Sequence, residues 1–514
     1  MSTLNPSFPG PGEALPPLPP VVPSDAWLPR VRSPRPMFAA ALGLGLLTEL
    51  LLDAPRWGLS FPLVAVAVVG TLAWLGGREG WQRARPNAWL AVPLLVFASF
   101  VAVRASPWLT AINVLTSGVL LMLLTHFWAA GRVQRLGLGG YPLTVLVSSL
   151  QGVRYTPALV RDTVDLQAAR KQVPRLLPFA RGLLFVVPVL AVFAVLLESA
   201  DVAFASAIDR VFSVPLAPLF VDTIARTIGV LVCACVAAGV LGHALRRRAP
   251  SEWGDEEAAP AKPRLGITEA MMLVLSVDAL FLVFAGFQVA YLFIGGATSP
   301  APGYSYAEYA RRGFFELVWV SALTLALVMA LARWTRRESP LADRVFRMGT
   351  TGTVALSLVI LASAMKRMAL YEMAFGYTHL RLYTHIFMFA LGAVLSWRAV
   401  TLWWRPERFA IGVFFTALGS VLALNLVNPD AFIARRNLEL HASTGEVDIE
   451  YLSQLSADAV PELVKGLEPV NSARKQWVMH DFAQKAFAER GWTEWTVADW
   501  QARRALQDAG YTAP

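Results

Sequence analysis

Charge is what this sequence has least of. Only 16% of its 514 residues are Asp, Glu, Lys or Arg, against roughly 25% in an ordinary soluble chain, and 56% are hydrophobic. That deficit excludes a water-facing exterior over most of the molecule. Cysteine is nearly absent. Cys233 and Cys235 are the only two, and both lie inside one apolar run, where a disulfide between residues two apart would be strained. They read as small packing residues. The six histidines, His126, His243, His379, His385, His441 and His480, show no metal-ligand spacing of the HExxH kind. The sequence also lacks a Walker A loop, a GxSxG elbow and a dinucleotide-binding glycine fingerprint. No cofactor or metal is expected, and Gly137, Gly139 and Gly140 read as a flexible turn. The net charge of +9 is spread between apolar runs instead of gathered in one patch. Membrane lipids, and not nucleic acid, are therefore the expected partners.

What the chain has in abundance is apolar length. The 17 Trp and 28 Phe suit a membrane interface and its interior. Eleven apolar runs can be marked, at approximately 37–53, 58–76, 88–103, 108–128, 178–198, 219–243, 268–294, 313–333, 348–366, 380–400 and 409–427. A span needs about 20 apolar residues, with about 17 as a lower limit, so 88–103 is the shortest candidate. The expected fold is all-α, a polytopic transmembrane helix bundle of about 11 spans over residues 37–427. Residues 1–36, with Pro6, Pro9, Pro11, Pro16, Pro17, Pro19 and Pro20, read as a disordered tether, and Pro16–Pro20 also fits the PxxP pattern. Residues 428–514 read as a small soluble helical segment. There Ser456, Asp458 and Pro461 mark a helix start before Leu463, and Trp477, Phe482 and Phe487 mark an apolar face. Between spans, Leu143, Val147 and Leu150 keep helical spacing and suggest an interfacial helix, and 201–217 suggests a similar piece.

Loop charge alternates. The loops at one side of the bundle hold about 26 basic residues and those at the other about eight, leaving out the C-terminal segment. By the positive-inside rule the N-terminus lies in the cytoplasm, and an odd number of spans puts the C-terminal segment outside.

Charges within a bilayer are costly and mark function by default. Asp278 sits mid-run, Asp222 and Arg226 are four apart and share a helix face, Glu49 is late in the first run and Arg181 early in the fifth. The densest polar cluster is expected where runs seven to ten reach the outer side. It comprises Asp278, Glu308, Arg311, Arg312, Glu316, Lys366, Arg367, Glu372, Arg381 and His385, with Gln288 and Tyr291 at the same level. Glu308, Arg312 and Glu316 are spaced by four and form one stripe, and Arg381 and His385 share a face. At least one of the carboxylates is expected within salt-bridge reach of Arg312, Arg367 or Arg381. Two readings stay open: interfacial anchors and packing ion pairs, or a substrate, headgroup or proton site.

Five segments together resemble a known family: Ser199–Ser206 (SADVAFAS), Asp278–Phe293 (DALFLVFAGFQVAYLF), Tyr306–Leu317 (YAEYARRGFFEL), Lys366–His385 (KRMALYEMAFGYTHLRLYTH) and Asn428–Glu439 (NPDAFIARRNLE). In this order they resemble the multi-spanning membrane proteins of the DUF 4153/4173 group, over roughly residues 170–460. The resemblance implies a bacterial inner membrane and makes the outer-side segments a family feature. It implies no activity. Three functions therefore compete. One is transport or flipping of a small molecule or lipid, built on Asp278 and Asp222/Arg226. Another is a membrane-embedded enzyme acting on a lipid or envelope precursor, with Glu308, Glu316, Glu372 or His385 as acid or base and Arg311, Arg312, Arg367 or Arg381 binding anions. The third is a non-catalytic assembly or sensory protein.

The charge alternation is checked by topology reporters. A fusion after residue 36 is expected to read cytoplasmic and one at residue 514 extracytoplasmic, and a cytoplasmic C-terminus would overturn the eleven-span arrangement.

Overall fold

The computed structural model describes residues 33–163, 186, 217–246, 264–288, 314–445, 448–467 and 473–512. The run at 178–198, Arg181, the piece at 201–216, Tyr291, Glu308, Arg311 and Arg312 lie outside the described residues, as does the N-terminal tail to residue 32.

The fold is all-α. Among the described residues nine helices are long and apolar enough to cross a membrane. They are α1 (Pro34–Leu52), α2 (Ser60–Ala84), α4 (Pro107–Ala129), α7 (Ala217–Leu245), α8 (Ile267–Gln288), α9 (Phe314–Trp334), α10 (Pro340–Phe375), α11 (His379–Trp403) and α12 (Phe409–Val427). Each coincides with one of the apolar runs. The short run becomes three residues of 3-10 helix followed by the 13-residue α3 (Ala91–Val103). At 1.5 Å per residue, α3 covers only about 20 Å of the roughly 30 Å hydrocarbon layer. Conversely α10, at 36 residues, is about 54 Å long and projects beyond the layer.

These helices pack with small and hydroxyl-bearing faces inward, as expected where lipid offers leucine no reason to leave it. On α10 the buried stripe includes Thr350, Thr353, Ser357 and Ser363, while Met348 is exposed. Gly45 of α1 lies so close to α7 that an added Cβ would stand 2.7 Å from Ala234. Such an approach admits only glycine. The interfacial helix expected between spans exists as α5 (Gly140–Gly152), but it is inside out relative to a soluble helix. Thr144, Ser148 and Gly152 are buried against the bundle, and Leu143 and Leu150 face away.

After α12 the chain turns back on Asn428, whose φ of 54° is left-handed, a conformation asparagine tolerates better than most. Pro429 then starts α13 (Pro429–Thr444). The remainder forms a helical cap from α14 (Ile449–Ser453), α15 (Val460–Gly466), α16 (Ala473–Phe487) and α17 (Val497–Asp508). It has its own core, including Ile433, Leu463, Val478, Phe482 and Leu506. The helix start at Ser456 is where the sequence suggests, with the Ser456 hydroxyl accepting from Asp458 N at 3.3 Å. Trp477, expected on the apolar face, is instead exposed. The cap also grips the α1–α2 loop: Gly58 N donates to Thr493 O at 3.2 Å and Leu59 N to Trp495 O at 3.0 Å.

Inside the bundle, Asn113 of α4 and Asn425 of α12 exchange two amide hydrogen bonds of 2.8 Å, and both residues are fully buried. Asn113→Ala is expected to lose about 1–3 kcal/mol of stability, because it strips the Asn425 amide of a buried partner. The double replacement by Leu should cost less than the single one. Chemical unfolding in detergent measures both.

Candidate functional site

Two polar networks occupy the side of the bundle that the cap covers. The first follows the ends of α8, α10 and α11. Gln288 closes α8, and its Oε1 accepts from the Ser363 hydroxyl at 2.8 Å and from the Arg367 guanidinium at 3.1 Å. One and a half turns on, the buried Glu372 meets His385 Nδ1 at 2.9 Å. Arg381 donates to the carbonyls of Phe375, at 3.0 Å, and Gly376, and stacks over the Tyr371 ring at 4.2 Å. The structure thus brings Arg367, Glu372, Arg381 and His385 to one end of the bundle. The expected contact between a carboxylate and an arginine involves Glu308 and Arg312, which lie outside the described residues. Among the described residues Arg381 neutralises helix-end carbonyls instead of a carboxylate, and the carboxylate Glu372 takes the imidazole. Glu316 stands exposed in the first turn of α9. Lys366 is half-buried on α10. Asp278 lies apart from this cluster, toward Thr353 and Gly352 of α10, with Oδ1 sealed from solvent and without a partner. Arg226 pairs at 3.1 Å with Asp53, beyond the end of α1, and not with Asp222.

The second network joins cap to spans. Asp458 accepts from the backbone N–H groups of Ala105 at 2.7 Å and Ser106 at 3.2 Å, and from Arg104 at 3.3 Å. Arg104 also donates to the Asn425 carbonyl, at 3.0 Å from Nε. Asp430, in the first turn of α13, accepts from Ser456 N at 2.9 Å and from His379 Nε2. The hydroxyl of Tyr451 accepts the backbone N–H of His379 at 2.9 Å and lies 3.1 Å from its Nδ1. The Tyr451 hydroxyl and the Asp430 carboxylate thus hold the His379 ring at both of its nitrogens.

The two carboxylates differ electrostatically. Burial pushes Asp430 up, but the hydrogen bonds from His379 and Ser456 outweigh it and hold the carboxyl below its ordinary value. Its position at a helix N-terminus acts in the same direction. Burial pushes Asp458 up, and the Ala105 amide and Arg104 pull it back only in part, with Asp430 adding repulsion. Burial likewise raises the Tyr451 hydroxyl, which keeps it a donor.

Between this clamp and the span ends opens a cleft of about 960 Å³. One wall is the α3–α4 turn and the first turns of α4, from Arg104 to Leu115. The other is the cap, including Tyr451, Lys485, Arg490 and Asp499. Arg56 and Trp57 of the α1–α2 loop and His379 complete it. Trp108 is 67% exposed and Trp57 39% exposed at its rim. Asp481 engages Lys485 at 2.6 Å and Asp499 engages Arg490 at 2.6 Å. No group of three or more His, Cys, Asp or Glu able to hold a metal occurs among the described residues.

Residues 91–466 match the family model described as "Domain of unknown function (DUF4153)". The chain belongs to this family. No curated protein and no solved structure matches it. The match runs from α3 to α15, so Arg104, His379, Asp430, Tyr451 and Asp458 all lie within the DUF4153 region, whereas Arg56, Lys485 and Arg490 lie outside it. In this DUF4153 chain Asp458 stands out in sequence only as part of a helix start, and His379 and Asp430 only within segments that resemble the family, while Arg104 and Tyr451 do not stand out. A signal was present in Asn113 and Asn425, two amides within apolar runs, and in the Asn-Pro-Asp that follows the last span.

The opposite shifts give a pH test. The stabilising contribution of Asp430 is complete above the ordinary carboxylate range near 4 and is lost as pH falls through its lowered value. That of Asp458 is largest when protonated and declines as pH rises through its raised value. At pH 7, Asp430→Asn is expected to loosen the cap by about 1–2 kcal/mol, and Asp458→Asn by less. Hydrogen exchange in α13 and α15 reads both, and the Asp430→Asn penalty should fade in acid.

Proposed function

We propose that this multi-pass membrane protein binds the anionic headgroup of a lipid or lipid-linked envelope precursor in the cleft beneath its cap, on the extracytoplasmic side of a bacterial inner membrane. The observation that carries the reading is the size and lining of the cleft. Arg104, at the end of the short α3, joins Arg56, Lys485 and Arg490 in placing cationic groups around one opening. Exposed Trp57 and Trp108 at the rim suit the interface, where aromatic rings collect. The volume is at the upper end of small-ligand sites, enough for a headgroup larger than a single phosphate. The loop charge alternation supports the sidedness. Within the cleft His379 is held from both nitrogens, so it presents a fixed imidazole edge. This supports recognition more directly than acid–base chemistry, which would need one nitrogen released from Tyr451 or Asp430.

Transport is favoured by a separate observation: the Asp278 carboxylate within α8, whose sealed Oδ1 has no partner. An intramembrane acid so placed suits a proton or cation coupled to movement of the bound group.

The binding reading is tested with a photo-crosslinking anionic lipid in nanodiscs. Crosslinks are expected in 104–115 and 482–490, and Arg56→Ala with Lys485→Ala should lower capture about tenfold. Crosslinks confined to lipid-facing spans would contradict it. If the protein also transports, Asp278→Asn should abolish flux in proteoliposomes while crosslinking persists.

A further inference from the structure

On the side of the bundle away from the cap, the ends of α9, α10, α11 and α12 meet, and Arg398 of α11 is buried among them with 6% of its surface exposed. A guanidinium at such a site ordinarily has a carboxylate or several carbonyls. Arg398 makes no side-chain hydrogen bond or ion pair among the described residues. Its Nε is sealed and without a partner, whereas its two terminal nitrogens are not sealed. The guanidinium lies over the Phe409 ring at 5.2 Å.

The neighbours deepen the deficit of negative charge. Arg337 is near enough to repel Arg398. The Asp343 carboxylate, in the first turn of α10, has both oxygens already used, Oδ1 by Arg337 at 3.1 Å and Oδ2 by Arg347 at 2.6 Å. Arg337 spends a further nitrogen on the Ala332 carbonyl at 3.0 Å, and Arg347 reaches the Trp403 carbonyl at 3.4 Å. Two guanidiniums therefore share one carboxylate at the end of a span, and the more deeply buried Arg398 has none among the described residues. Arginine's planar fork binds a phosphate through two parallel hydrogen bonds. Basic pockets between span ends are where acidic phospholipids lodge.

We infer that Arg398, with Arg337 beside it, forms a binding site for the phosphate of an anionic phospholipid in the leaflet opposite the cap. The lipid supplies the missing charge, its phosphate against the outer edge of Arg398 and its chains along α11 and α12. On the orientation proposed above this is the cytoplasmic leaflet. The site is independent of the cleft.

Thermal unfolding in nanodiscs tests it, in phosphatidylcholine alone and with phosphatidylglycerol added. The wild type is expected to be stabilised by phosphatidylglycerol, with a preference of about fivefold over phosphatidylcholine attributable to this arginine. Arg398→Met should abolish that preference. In phosphatidylcholine alone it should melt at or above the wild type, since it removes a buried charge that lacks a partner. Arg405→Gln with Arg408→Gln, on the nearby surface, should keep the preference. Three results overturn the proposal: Arg398→Met keeping the preference, Arg398→Met losing stability equally in both lipids, which would mark a packing role, or the surface pair losing the preference as completely. Inorganic phosphate added to phosphatidylcholine discs forms a separate arm. An equal stabilisation there would overturn the lipid as the source of the anion.

Discussion

Everything on the capped side depends on one interaction: buried carboxylates from the cap closing onto the ends of the spans. Asp458 takes two backbone N–H groups of the α3–α4 turn together with Arg104, and Asp430 takes Ser456 and His379. Those N–H groups belong to the first residues before α4, which have no partner within the helix. The cap supplies what the helix lacks, and the span ends supply the donors that two buried acids need. Removing either half would leave the other with unpaired buried polar groups, a cost larger than the net gain of making the bonds. The cap and the bundle are for this reason parts of one structure, and the cleft exists only because they are held together at this spacing.

The clamp also borders a site, because the α3–α4 turn that Asp458 holds is one wall of the cleft. Asn428 has a related role. Its left-handed turn reverses the chain so that Asp430 returns over the bundle instead of projecting from it.

The bundle was legible in the sequence because the bilayer imposes a length, and each described span lies where an apolar run of that length lies. The direction each helix faces was less legible. Leu143 and Leu150 were correctly set on a helix, yet lipid takes the leucines and the protein takes Thr144 and Ser148. The cluster of Arg367, Glu372, Arg381 and His385 was found because its members fall in one stretch. The clamp was not, because Arg104 and Asp458 are 354 residues apart, and neither is unusual in its own surroundings. Pairing across that distance leaves no periodicity to read. The Arg398 site was hidden differently: loop arginines satisfy the topology rule, and nothing in a sequence separates an arginine that snorkels from one buried without a counter-charge.

We propose that the cleft under the clamped cap receives a phosphate-bearing headgroup. The most direct measurement is magnetic-resonance contact between phosphorus and arginine side-chain nitrogen in nanodiscs holding anionic lipid, with the Arg56 and Arg104 guanidiniums resolved. The account predicts phosphorus within direct hydrogen-bonding distance of one or both while the Asp458–Arg104 contact persists. A docked cap with no phosphorus near either guanidinium would contradict it.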